Sequence, residues 1–265
     1  MPIAHRLHHM WLNEAEPNCS EAPMAYPRYR EYIAGWKQHH ATFEYHFWNE
    51  TNTAELWDNP KLRRWAGFFR QLRYRIERCD FTRYAIMHVY GGLYVDLDYV
   101  CRRSFLPLFE GRELLLTEEP AEHDREGVRF VANSVMASAP GHPFWARLMD
   151  DIMAHYETTL AKPNANAVAT TGPQRVALSL SQHPKLVRQP QPVLVDTCLL
   201  LPLSFRGMAR ACPADALEKA YCYTRWGEGT GWLSDYRDKI VSDNLGWILI
   251  PIMLVVIALA VILYT

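Results

Sequence analysis

Between Tyr90 and Val100 the chain reads Tyr-Gly-Gly-Leu-Tyr-Val-Asp-Leu-Asp-Tyr-Val, and no other stretch constrains the fold as tightly. Two consecutive glycines stop a preceding helix. Leu93, Val95 and Leu97 then alternate with Tyr94, Asp96 and Asp98 in the period-two pattern of a strand, which predicts both carboxylates on one face. Two acids at i and i+2 repel each other when bare, and a divalent cation carrying a diphosphate makes such a pair favourable. The plainer alternative is a solvated turn, because Asp is common in turns.

The residues upstream bear on that choice. From Asp80 to Tyr90 the apolar positions repeat at helical spacing, and Gly91-Gly92 supplies the stop. Asp80 and Arg83 lie three apart, close enough to share a helix face and a ligand. Their plainer roles are an N-cap for Asp80 and an intrahelical partner for Arg83. Leu62 to Arg78 is also helical in pattern, and its many arginines read as a solvated face.

Strand patterns are expected over Ala4–Leu12, Thr42–Trp48, Glu113–Thr117, Phe130–Ser138 and, as an extended apolar segment, Val193–Leu203. Helical patterns cover Tyr29–His39, a polar segment ending near Trp57, Pro143 to about Leu160, and Gln174–Ser181 after a Gly-Pro opening. His8 and His9 are adjacent, so on a strand they point to opposite faces and do not form a metal pair. Residues 220–232 read as a glycine-punctuated aromatic loop.

The 28 basic and 29 acidic side chains nearly cancel, which removes nucleic acid from the expected partners. Six cysteines show no C-x-x-C and no paired ligand spacing, so they suggest neither a zinc site nor a disulfide framework. His5, Arg6, His8 and His9 interrupt any apolar N-terminal run, and no cleavable signal peptide is expected. From Leu245 to Tyr264, 20 residues pass without a charge. That run is long enough to cross a hydrocarbon core of ~30 Å. Trp247 and Tyr264 sit near its ends, and Arg237 and Lys239 precede it, which by the positive-inside bias favours a cytosolic domain. Sequons at Asn18 and Asn49 would report a luminal one.

Asp80-x-x-Arg83-Tyr84 followed by Tyr90-Gly91-Gly92-Leu93-Tyr94-Val95-Asp96-Leu97-Asp98 resembles the signature of the family 32 D-x-D glycosyltransferases, which include inositolphosphoceramide mannosyltransferases. Their core is similar to that of the clostridial glucosylating toxins. An early His-Met-Trp, the run Ala139 to Trp145, and Thr171-Gly172-Pro173 extend the likeness over most of the chain before the apolar run. The resemblance implies a GT-A fold, a Rossmann-like α/β mixed sheet flanked by helices, as a catalytic domain over residues 1–240, to which the apolar run adds a single C-terminal transmembrane helix over 245–264. It implies that Asp96 contacts the ribose and the metal, that Asp98 binds Mn²⁺ or Mg²⁺, that Asp80 and Arg83 hold the donor's sugar and diphosphate oxygens, and that Tyr94 buttresses the nucleotide.

Asp96, Asp98 and Arg83 are thus the catalytic candidates. The donor would be a nucleotide sugar, GDP-mannose or a UDP-hexose, and the acceptor a lipid or glycan hydroxyl, such as that of inositolphosphoceramide, at an endomembrane. Many family members carry a His in the late loop where this chain has Tyr223, Thr224 and Arg225. Glu228 and Thr230 then offer oxygen ligands for a hard cation, and Trp232 a lid over the donor, against the plainer reading of a core Trp. Asn133 and Ser134 fall where family members place acceptor-side or sugar-contacting groups. Two other functions stay open at this point: a membrane-tethered nucleotide-sugar hydrolase, and a non-catalytic tail-anchored binding protein.

Overall fold

Gly91 and Gly92 organise the centre of the molecule, which we describe from a computed structural model. Their φ angles are 59° and 94°. A Cβ on Gly91 would lie 2.6 Å from Ser138 O, and one on Gly92 would lie 2.7 Å from Arg6 O, so the long helix before them can turn straight into the sheet only through glycine. The structure describes residues 1–24, 26–124, 127–161, 166–204 and 207–224, all within the unit Met1–Gly229. The expected span 245–264 and the candidates Glu228, Thr230 and Trp232 lie outside the described residues. Among the described residues, no helix is long and apolar enough to cross a membrane.

In chain order the elements are β1 (Arg6–Met10), α1 (Tyr29–His39), β2 (Glu44–Trp48), α2 (Glu50–Trp57), α3 (Arg63–Phe69), α4 (Arg75–Tyr90), β3 (Gly92–Val95), β4 (Tyr99–Cys101), α5 (Leu106–Phe109), β5 (Leu114–Thr117) and β6 (Val135–Ser138). There follow α6 (Pro143–Leu160), α7 (Ala167–Thr170), α8 (Pro173–Gln182), β7 (Leu194–Val195), α9 (Thr197–Leu200), β8 (Leu203–Ser204), β9 (Gly207–Met208), α10 (Ala216–Lys219) and β10 (Cys222–Thr224). The main sheet has the order β2-β1-β3-β6-β5-β7. All neighbours are parallel except β6, which is antiparallel to both β3 and β5. The carboxyl ends of the other five strands therefore share one edge, where α/β sheets bind ligands.

Alternate residues of each strand feed different cores. Tyr94, Leu114, Leu116 and Met136 pack with Phe81, Trp145, Leu148 and Ile152 of α4 and α6. Leu93, Val95, Leu115 and Ala137 pack on the other face with Trp36 of α1 and Phe105. The result is a three-layer arrangement with α4 as a wholly packed helix; Phe81, Tyr84, Ala85, Ile86 and Met87 are all 0% exposed.

Four expectations change. The strand after the glycines ends at Val95, where its pairing with β6 stops, and Asp96-Leu97-Asp98 form a turn closed by Tyr99 N donating to Asp96 O at 3.3 Å. The acids therefore come together by a turn and not by strand alternation. Leu62–Arg78 is two helices: an extended Tyr74 interrupts the pattern, and Glu77 reaches back to Tyr74 N as in a capping box, so Asp80 lies inside α4 and not at its cap. Val193–Leu203 is broken by α9, whose first turn is capped by Asp196. The segment 130–138 is regular strand only from Val135. Cys198 and Cys212 form a disulfide, while Cys19, Cys79, Cys101 and Cys222 are free.

Candidate active site

The inner face of α4 presents Glu77, Asp80, Arg83, Tyr84 and Met87 at helical spacing, all buried. Two adjacent threonines meet the two acids. Thr170 Oγ1 donates to Glu77 Oε1 at 2.7 Å, and Thr171 Oγ1 donates to Asp80 Oδ2 at 2.7 Å. The other oxygen of Asp80 accepts from Asn133 Nδ2 at 2.9 Å. Asn133 also donates to Tyr84 Oη at 2.8 Å, and Tyr84 Oη donates to the Thr171 carbonyl at 2.7 Å.

Arg83 links this network to the acid pair. One guanidinium nitrogen donates to Asn133 O at 2.8 Å and to Asp96 Oδ2 at 3.3 Å, and the other lies 3.5 Å from Asp80 Oδ1. Its charge sits over the Tyr94 ring, 5.2 Å from the centroid, and Tyr94 Oη donates to Asp96 Oδ1 at 2.7 Å. Burial opposes the guanidinium charge, but Asp96 and Asp80 outweigh it and keep Arg83 protonated. The side chains of Asp80 and Arg83 are 5% and 6% exposed against 30% for Asp96, so it is Asp96 that opens toward solvent.

The turn bearing the acids is held from three sides. Asp96 N donates to Ser134 O at 2.8 Å, Tyr99 Oη and Ser134 Oγ are 2.8 Å apart, and Trp36 Nε1 donates to Tyr99 O at 2.9 Å. Leu97 packs against Tyr29 and Ile33 of α1. Asp98 accepts from Thr224 Oγ1 at 3.0 Å, a contact delivered by β10, which pairs antiparallel with β4.

The three carboxyls differ in how well their charge is met. Burial raises Asp80 to about 6 against the pull of Arg83, and it raises Asp96 while Arg83 and Tyr94 pull it back. Asp98 goes furthest, to about 7, because burial is followed by repulsion from Asp96, with the Thr224 hydrogen bond opposing. Two hard oxygen donors, one of them short of compensating charge, suit Mg²⁺ or Mn²⁺ chemically. Among the described residues, no group of three or more His, Cys, Asp or Glu gathers to hold a metal, so the pair would need ligands from a substrate or from the rest of the chain.

The structure thus brings Asp80, Arg83, Tyr94, Asp96, Asp98, Asn133 and Ser134 together. It adds Tyr84, Thr171, Tyr99 and Thr224, to which sequence reasoning assigns no role. Tyr84 and Thr171 sit in the motifs already singled out; Thr224 carries no signal beyond occupying the place of an expected His. The N-terminal histidines take no part. His8 Nε2 contacts Gly91 O at 2.8 Å and its Nδ1 accepts from Trp48 Nε1 at 3.2 Å, which defines a neutral ring that burial lowers to about 3.

A three-layer unit with an acid pair in the turn after a central strand is the GT-A arrangement of fold. One solved structure, the PaToxG glycosyltransferase, aligns with a TM-score of 0.50 over 70% of this chain and 73% of its own at 12% identity, a likeness of fold alone. Residues 27–118 match the family described as "Glycosyltransferase sugar-binding region containing DXD motif". A mannosyl phosphorylinositol ceramide synthase of Saccharomyces cerevisiae is 31% identical over 54% of this chain and 36% of its own length. An inositol phosphoceramide mannosyltransferase of Schizosaccharomyces pombe is 31% identical over 56% of this chain and 38% of its own. The match thus spans little more than a third of either relative. An uncharacterized glycosyltransferase of Acanthamoeba polyphaga mimivirus is 24% identical over 72% of this chain and 74% of its own.

Proposed function

We propose that this protein is a divalent-cation-dependent hexosyltransferase that moves a sugar from a nucleotide donor to an acceptor hydroxyl. The observation that carries the reading is the asymmetry of the acid pair: Asp96 is compensated by Arg83 and Tyr94, whereas Asp98 is raised to about 7 beside it. A cation relieves that imbalance. Asp96 and Asp98 would hold it, with the donor's diphosphate oxygens as further ligands. When bound, it supplies positive charge to the diphosphate leaving group.

The remaining work falls to the chain's own groups. Arg83, held by Asn133 O and Asp80, offers fixed positive charge at the edge where the glycosidic bond breaks, in a site whose donors need not reorganise. Tyr94 keeps Asp96 oriented toward the ribose. Ser134, beside the acid turn, would contact the sugar or acceptor, and Asn133 would act through Asp80 and Arg83. With no enzyme carboxylate required as nucleophile, transfer with retention by front-face attack of the acceptor hydroxyl fits this set.

The relatives are mannosyltransferases of inositol phosphoceramide by name, which favours mannose as the sugar and inositol phosphoceramide as the acceptor class; GDP-mannose is the donor we propose. In this reading residues 1–240 are the catalytic domain and 245–264 anchor it at an endomembrane, close to a lipid acceptor. The test is a screen of GDP- and UDP-sugars for nucleoside diphosphate release by the full chain, with and without Mn²⁺, followed by analysis of the products. Glycosylated lipid is the expected outcome. Free sugar would make the protein a hydrolase, and cation-dependent donor binding without product would make it a binding protein.

A further inference from the structure

Thr224 reaches Asp98 from 126 residues downstream, and its own position is set by an unusually short piece of structure. β10 and β4 form a ladder of three residue pairs, with Thr224 opposite Tyr99 and Cys222 opposite Cys101. Tyr99 directly follows Asp98, so this register puts the Thr224 hydroxyl beside the acid pair, where it is 2% exposed. A two-stranded ribbon of this length is marginal alone. Its outer support is α9: Tyr221 N donates to Leu199 O at 2.7 Å, and the Cys222 thiol donates to Leu200 O at 3.4 Å. A four-residue helix does not hold itself either. Within α9, Cys198 is bonded to Cys212, so the anchor of β10 is stapled covalently.

The contacts form one connected path from the disulfide through α9 and β10 to Asp98. We infer that the Cys198–Cys212 staple and Thr224 together are a positioning device for the acid pair, so that opening the disulfide weakens divalent-cation binding without altering either carboxylate. The device works by restricting where β10 can lie, because loss of the crosslink lets α9 and the two carbonyls that hold Tyr221 and Cys222 shift. Thr224 is a positioning residue here: its hydroxyl donates to one oxygen of Asp98 and so fixes the carboxyl's orientation. The inference rests on the cation reading of Asp96 and Asp98, and the experiment separates the two.

Binding of Mn²⁺ alone to the full chain is measured by the loss of the free ion's paramagnetic resonance signal. Wild type, Asp98→Asn, Thr224→Val, Thr224→Ser and the double variant Cys198→Ser/Cys212→Ser are compared, each checked for folding by circular dichroism. Asp98→Asn should lose binding. Thr224→Val should bind about tenfold more weakly, the size of a lost hydrogen bond to a charged group, and Thr224→Ser should bind like wild type. The double variant should bind several-fold more weakly with its secondary structure retained, and mild reductant should weaken wild type but not that variant. Wild-type affinity in both Thr224→Val and the double variant overturns the inference and leaves the cation site standing. Absence of Mn²⁺ binding by wild type overturns both. Should Thr224→Val not fold, the double variant and the reductant response decide the matter.

Discussion

The two sides of the acid pair are built to different standards. On the side of α4 and β6, Asp80, Arg83, Tyr84, Tyr94, Asn133 and Thr171 are joined in one hydrogen-bonded network, and among the described residues Arg83 Nε alone of that network is buried without a partner. On the side of β10, the hydroxyl of Thr224 meets Asp98. Burial acts on all three carboxyls, yet Asp98 is raised most because its neighbour is another acid and not a guanidinium. One side is a finished scaffold, and the other is left electrostatically open to a ligand. A buried ion pair broken by removing one partner costs far more than relief of a repulsion, so the two sides should answer mutation with opposite signs.

The most severe way to break the contrast is Arg83→Ala. It strands Asp80 and Asp96 without their counter-charge and should cost about 3–5 kcal/mol, seen as a large fall in the thermal midpoint together with loss of turnover. Arg83→Lys should recover only part of both, because an ammonium cannot serve three acceptors in a fixed fork. Asp98→Asn should lower sugar-nucleotide turnover by at least about 100-fold while leaving the protein without cation as stable as wild type or more so. Asp96→Asn should lower both turnover and stability. An Asp98→Asn protein that melts well below wild type would remove the contrast.

Glu77→Gln sharpens it from within α4. Glu77 lies one turn before Asp80, accepts from Thr170 and Tyr156, and has its carboxyl raised by burial, but among the described residues it makes no hydrogen bond to Asp80, Arg83, Asp96 or Asp98. The change should cost about 1 kcal/mol in denaturant unfolding and leave KM for the donor unchanged.

A separate effect, absent at neutral pH, is acid sensitivity outside the site. His8 and His9 are neutral in the fold because burial lowers both to about 3, below their ordinary 6.5. Their contribution to stability is complete above pH 6.5 and declines as pH falls toward 3. His8→Gln should flatten part of that acid limb in a series of denaturation curves; an unchanged limb would assign it to the carboxylates.

Much of the secondary structure is legible in the sequence. Helical spacing locates α1 and α6 at their observed limits, and the double glycine marks the end of α4, because these are local consequences of periodicity and of φ angles that only glycine adopts easily. The pattern over Leu62–Arg78 misleads because an extended Tyr74 inside a helical stretch depends on tertiary packing and not on local propensity. The strand through Asp98 misleads for a related reason. Alternation continues in sequence beyond Val95, but the strand ends where its partner β6 does.

The candidate site divides along the same line. Asp80, Arg83, Tyr94, Asp96 and Asp98 lie within 19 consecutive positions, and their residue types at that spacing are enough to suggest a cation and a diphosphate. Thr171, Asn133 and Thr224 come from distant segments and acquire their roles only through contact. The amino-acid sequence by itself thus determined which carboxylates and which guanidinium are present and that glycines admit them to the sheet edge. Only the tertiary structure decided which acid is compensated and which is left open, because compensation is a matter of ångströms between side chains that the chain keeps far apart in order.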